Sequence, residues 1–149
     1  MGSSVRNAGI LSGDSALRYI VSFMFSVILI YGFYVHFHGD YSPGGGFQGG
    51  VVVASAVILY AMVFGCSQVC MALPSLGAVA AIGLFIYFVT GIVSVFLGGS
   101  FLSYIFLLFD SVTEQKLGVF VVELGVGLTV FSSVVSIYFD FASLQNDIH

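Results

Sequence analysis

The stretch His38–Gly65, HGDYSPGGGFQGGVVVASAVILYAMVFG, decides how the rest of the chain is read. Its first half contains Gly44-x-Gly46-x-x-Gly49, the spacing of a dinucleotide-binding turn. That turn works only between a short strand and an amphipathic helix, with an acidic residue about 20 positions on to hold a ribose. Here the glycines follow Tyr19–Val35, which carries no charge and is too long and too uniformly apolar for a buried strand. The second half is a further apolar run, and the next acidic residue after the loop is Asp110. No lysine follows the glycines, as a phosphate loop would require. The glycines therefore join two long apolar segments, and their purpose has to be sought there.

Composition gives the solvent. Of 149 residues, 59% are hydrophobic and 7% are charged, against about 25% charged in soluble domains. Residues 41–109 contain no Asp, Glu, Lys or Arg, and the mean hydropathy is +1.13. A water-facing monomer could not carry such a surface, whereas a bilayer accepts it. The expected class is an all-α integral membrane protein.

A helix needs about 20 apolar residues to cross the hydrocarbon core. Four segments meet this requirement, at about residues 19–37, 47–65, 76–97 and 117–139. Asp14 or Ser15 can cap the first helix, and Pro74 marks the break before the third span. Residues 1–13 read as a polar arm, 14–140 as the membrane domain and 141–149 as a polar tail. Phe101–Phe109, FLSYIFLLF, is too short to span and too apolar for an aqueous loop, so it is expected to be interfacial or re-entrant. The apolar start leads into YVHFHGD rather than a small-residue cleavage site, which excludes a cleavable signal peptide. Four spans place both termini on one side. Arg6 and Arg18 lie there against Lys116 on the other, so the charge bias expects cytoplasmic termini and an external glycine loop.

The net charge of −4 includes no basic cluster, which excludes nucleic acid as a partner. Cys66 and Cys70 form an isolated CxxxC with neither a second pair nor a nearby histidine, so they read as free thiols and not as zinc ligands. No haem or iron–sulfur spacing occurs, and no nucleophile–base arrangement stands out. The chain is expected to hold no metal or cofactor and to catalyse no reaction.

Chemistry in the membrane rests on few residues. Glu123 is the one acid well inside a span, roughly 9 Å past Leu117 at 1.5 Å per residue. A charge at mid-bilayer costs about 3 kcal/mol on insertion scales, and less at shallower depth. Glu123 is thus a candidate for proton or cation coupling, with a neutral hydrogen-bonded carboxyl as the plainer alternative. His36, His38 and Asp40, at the end of the first span, are further candidates for ion coupling, the histidines because they titrate near neutrality. The loop residues Gly39, Pro43, Gly44, Gly45, Gly46, Phe47, Gly49 and Gly50 read first as a packing joint against another subunit, and second as an ion site on irregular backbone. Small-residue pairs at Gly50/Ala54, Gly77/Ala81 and Gly125/Thr129 suit close helix packing. One acid and two edge histidines do not make a relay across a bilayer, so the chain is expected to work within a larger assembly.

HGDYSPGGGFQGGVVVASAVIL resembles the signature of the B subunit of the Mrp/Mnh multisubunit sodium/proton antiporters, and LGVFVVELGVGLTVFSSVVSIYF resembles that family's fourth span. The similarity covers about residues 14–140. It implies a four-span subunit of the bacterial inner membrane, needed for assembly and activity, in a complex whose large subunits pump protons. It implies sodium and protons as the exchanged ions, handled by the complex as a whole. An equivalent subunit of a membrane-bound hydrogenase or related respiratory complex is the alternative. A small homo-oligomeric channel is a third reading, and it requires a polar face that Ser132, Ser133 and Ser136 only hint at.

Overall fold

The computed structural model describes residues 15–39, 43–96 and 111–147. They form five helices and, among the described residues, no strand: α1 (Ser15–Phe37), α2 (Gly46–Phe64), α3 (Cys66–Ala72), α4 (Leu76–Phe96) and α5 (Ser111–Asp147). The helices α1, α2 and α4 and the Gly118–Leu144 part of α5 are long and apolar enough to cross a membrane. The fold is thus an all-α, multi-pass membrane fold with four candidate spans. Residues 141–147, read from sequence as tail, continue α5. The arm at 1–13 and the segment Phe101–Phe109 lie outside the described residues.

The breaks follow from local chemistry. Gly65 ends α2 at φ 102°, a conformation other residues rarely adopt, while its N–H still bonds the Ala61 carbonyl at 2.9 Å. The chain then makes the short α3. Leu73, which precedes Pro74, is extended at φ −88° and ψ 145°, as the proline ring demands of its predecessor. The new helix starts two residues after Pro74, with Ser75 offering its carbonyl to the Val79 N–H at 3.1 Å.

The four long helices lie in the order α1, α2, α5, α4. The contacts of α1 are mainly with α2, α2 also packs on α5, and α4 packs on the far side of α5. The last helix is therefore the shared wall. At one end of the molecule the Arg18 guanidinium sits 4.8 Å over the Phe64 ring, and the Cys66 thiol donates to the Tyr138 hydroxyl at 3.6 Å. At the other end Phe37 stacks on Phe120 at 5.7 Å. The start of α1, the end of α2, α3 and the end of α5 thus share one end. The glycine loop and the first turns of the α5 span share the opposite one.

Lipid tails are as apolar as leucine, so helices associate in a bilayer by close packing rather than by escape from water. Small residues make that packing here. A Cβ at Gly50 would come 2.7 Å from the Gly127 carbonyl oxygen, one at Gly83 2.6 Å from the Gly125 carbonyl oxygen, and one at Gly32 2.8 Å from the Val53 side chain. Each contact is backbone or branched side chain, which cannot swing away. The Gly50/Ala54 pair is buried, and Gly125/Thr129 receives Gly83 of α4. Gly77, by contrast, has nothing within 4 Å of the position its Cβ would take. Ala54, Val57, Ala61, Val69 and Val135 form the buried core toward the Cys66 end.

Several span hydroxyls are bonded inside their own helices. Thr129 donates to the Gly125 carbonyl at 2.9 Å, Ser132 to Leu128 at 2.8 Å, Ser133 to Thr129 at 2.7 Å and Ser94 to Thr90 at 3.1 Å. Such back-bonding spends the hydroxyl donor on its own helix. It does not build the polar face that a channel reading needs.

Candidate functional site

The site begins with helical geometry at the end of α1. Residues two apart on an α-helix point about 200° apart, so His36 and His38 cannot share a face. His36 turns inward and is 8% exposed. His38 turns outward, stacks on Tyr34 at 4.1 Å and places Nδ1 3.1 Å from the Tyr34 carbonyl oxygen.

The chain then reverses through the glycines. The Gly45 N–H donates to the Val35 carbonyl at 3.2 Å, which folds the loop back onto the end of α1. A Cβ at Gly44 would come 2.7 Å from that same carbonyl oxygen. Gly45 itself has φ 114° and ψ −173°, backbone that is essentially confined to glycine. From Gly46 the chain is helical. Gly45 caps α2 without any side-chain hydrogen bond to the first amides. The N–H groups of a first helical turn have no acceptor within the helix, and that end carries the positive pole of the helix dipole.

Glu123 occupies the space beside this helix start. Its Oε1 lies 3.0 Å from the Cβ position of Gly45 and 3.1 Å from that of Gly39. A Cβ at Gly46 would fall on the backbone carbonyl of Glu123. The Glu123 carboxyl group is thus seated beside the positive end of α2, in a niche that exists because three neighbouring positions lack side chains.

One turn further along α5 the same arrangement receives His36. A Cβ at Gly49 would meet the His36 Cβ at 2.8 Å and Nδ1 at 3.1 Å, and one at Gly127 would meet Cε1 at 2.9 Å and Nδ1 at 3.2 Å. The His36 ring also meets Phe120 edge-on, with centroids 6.5 Å apart. Its Nε2 is buried without a hydrogen-bond partner among the described residues. Buried polar atoms in native proteins are nearly always partnered, so an exception calls for a physical account.

Of the residues singled out from sequence, the structure brings together Glu123, His36, Gly39, Gly45, Gly46 and Gly49. Gly50 lies further along the same α2–α5 contact, against Gly127 and Val130. His38 stands apart on the outer face, and Asp40 lies outside the described residues. Within this chain the close contacts of the loop glycines are with α1 and α5. Phe47 and Pro43 are exposed, Phe47 at 63%. Sequence reading missed Gly32 and Gly127. Their signals were available: Gly32 lies one turn before His36, and Glu123-Leu-Gly125-Val-Gly127 puts two glycines on the turn after the acid.

Other features are less suited to chemistry. A pocket of about 230 Å³ between α4 and α5 is lined by Leu84, Tyr87, Gly125, Val126, Thr129 and Val130, and its surface is almost wholly apolar. Cys66 and Cys70 are free thiols. Among the described residues no group of three or more His, Cys, Asp or Glu could hold a metal ion.

Residues 16–136 match the family described as a domain related to the MnhB subunit of the Na+/H+ antiporter. The chain is 38% identical over 130 residues to a Staphylococcus haemolyticus protein described as a candidate antiporter subunit mnhB2, a match that takes in 83% of this chain and 91% of the relative. It is 37% identical over 91 residues to proteins of the same description from Staphylococcus aureus strains Newman and USA300, covering 60% of this chain and 64% of theirs.

Proposed function

From the premise that the chain belongs to the MnhB-related family and is a subunit of a multisubunit Na+/H+ antiporter, we propose that it works by coupling Glu123 to a rigid glycine-walled joint between α1, α2 and α5. The family is one of transporters rather than enzymes, and other subunits of the antiporter are the partners. The chain supports assembly and ion exchange without a catalytic step or cofactor of its own. It sits in the bacterial cytoplasmic membrane with both termini inside, as the Arg6 and Arg18 side against Lys116 suggests.

The observation that carries this reading is the seating of Glu123 beside the start of α2, with Oε1 against Gly39 and Gly45. A carboxylate in the hydrocarbon core costs about 3 kcal/mol at the centre. A helix N-terminus returns about 0.3–1 kcal/mol of this, and more in a partly buried setting. The niche thus lessens the cost of holding a charged acid at this depth, and a carboxyl that serves exchange has to bear charge for part of each cycle.

The test is complementation in cells lacking their sodium/proton antiporters. The complete set of subunits should restore sodium tolerance, omission of this chain should abolish it, and this chain alone should give none. Tolerance conferred by the single chain would sink the reading, because the ion path would then be complete without partners.

A further inference from the structure

We propose that His36 is a second proton-binding residue of the exchange path, held across the same α5 stripe that carries Glu123. The inference rests on the coupling role of Glu123 given above and extends it to a group that sequence reading placed at the membrane edge.

Phe120, Glu123 and Gly127 are spaced i, i+3 and i+7, which places them on one face of α5. The His36 ring touches the two outer members of that stripe, Phe120 edge-on and Gly127 at Cε1. Glu123 lies between them. The imidazole is fixed from both sides, since neither Gly49 of α2 nor Gly127 of α5 could carry a Cβ without displacing it. A histidine kept only for packing would be expected to have its ring nitrogens partnered, yet Nε2 is buried and unpartnered among the described residues. An apolar side chain would fill the same space without stranding a polar atom there.

Few titratable groups lie near His36 among the described residues. On the α5 stripe the titratable residue is Glu123, which lies in sequence between the Phe120 and Gly127 that the ring touches. From α2 the contact is Gly49, which brings none, and on α1 itself His38 points to the opposite face and stacks on Tyr34. A neutral imidazole keeps one nitrogen lone pair. In this proposal a proton lost by the Glu123 carboxyl is taken up at that lone pair by way of solvent and not through direct contact, leaving carboxylate and imidazolium, and it returns by the reverse route. The proton is conserved within the pair, and no other reactant is consumed.

The test uses the complete complex in everted membrane vesicles, with assembly checked on native gels, and compares His36→Gln, Glu123→Gln and the double variant. Assembled His36→Gln should move the pH of half-maximal sodium-driven exchange by about one unit or more, and the double variant should be no worse than Glu123→Gln. An assembled His36→Gln complex with the wild-type pH curve overturns the proposal. If Glu123→Gln abolishes exchange in that same series, the coupling role of Glu123 survives and the role of His36 alone is lost. Should His36→Gln fail to assemble, ¹⁵N-histidine NMR of the otherwise wild-type complex decides, with His38→Gln and His149→Gln used for assignment. A His36 signal that converts from imidazole to imidazolium over roughly pH 5 to 9, and whose midpoint moves in Glu123→Gln, is expected. A signal constant across that range contradicts the proposal.

Discussion

Adding a single methyl group at three glycines should give three different outcomes, in an order fixed by what the new Cβ meets. At Gly77 it meets nothing within 4 Å, and replacing glycine by alanine within a helix gains up to about 1 kcal/mol. Gly77→Ala should therefore be neutral or slightly stabilising. At Gly45 the backbone sits at φ 114°, which costs a non-glycine residue about 1–3 kcal/mol. The Cβ would also stand 3.0 Å from Glu123 Oε1, a side-chain atom that can yield. At Gly46 the Cβ would land on the Glu123 backbone carbonyl. No rotamer change relieves that, so α2 and α5 must separate, and overpacking of about 1–3 kcal/mol is the least expected cost. Separation would also loosen the Gly50–Gly127 contact one turn on. The assay is the fraction of intact complex left on a native gel after graded heating in mild detergent. Gly77→Ala should match the parent, Gly45→Ala should lose complex at lower temperature, and Gly46→Ala should assemble least. Gly46→Ala as robust as Gly77→Ala would refute the claim that α2 and α5 meet at backbone contact.

Glu123→Ala should weaken assembly more than Glu123→Gln, because alanine removes both hydrogen bonding and the bulk that fills the niche; native gels at equal expression check this. Phe47→Ala should leave this chain's insertion intact, since the ring is 63% exposed, while lowering the yield of complex that copurifies if the ring is a subunit contact. Ser132→Ala, which removes only a hydroxyl bonded back to its own helix, should change thermal survival by under about 1 kcal/mol and leave sodium tolerance unaltered. A marked transport defect there would revive the idea of a polar pore along α5.

The membrane class and the four spans were legible because hydropathy over a bilayer's thickness is a long-range signal, summed over many residues. The start of α4 was legible for a local reason, as Pro74 fixes the chain before it. The site was half legible. Glu123 stood out because charge in a span is rare, and the glycine loop because its composition is extreme. What could not be read was which surface the loop meets. Gly45 and Gly46 permit close approach to any partner, and only the three-dimensional path shows that the partner is Glu123, some 77 positions later in the chain. The division between His36 and His38 was available from helical phase alone, since residues two apart cannot both face inward. Gly127 was marked in the sequence only by its place on the turn after the acid, and its use became plain only once a ring from another helix was seen resting on it.

The most direct test of the central claim is sodium-driven proton exchange, measured across pH in everted vesicles holding the complete complex with Glu123→Gln. Glutamine keeps the shape and hydrogen bonding of the niche but cannot exchange a proton. With assembly equal to the parent on a native gel, the account predicts exchange that is lost or whose pH profile is displaced. Equal assembly with an unchanged pH–activity curve would contradict it, and would leave the carboxyl as a structural group at the start of α2.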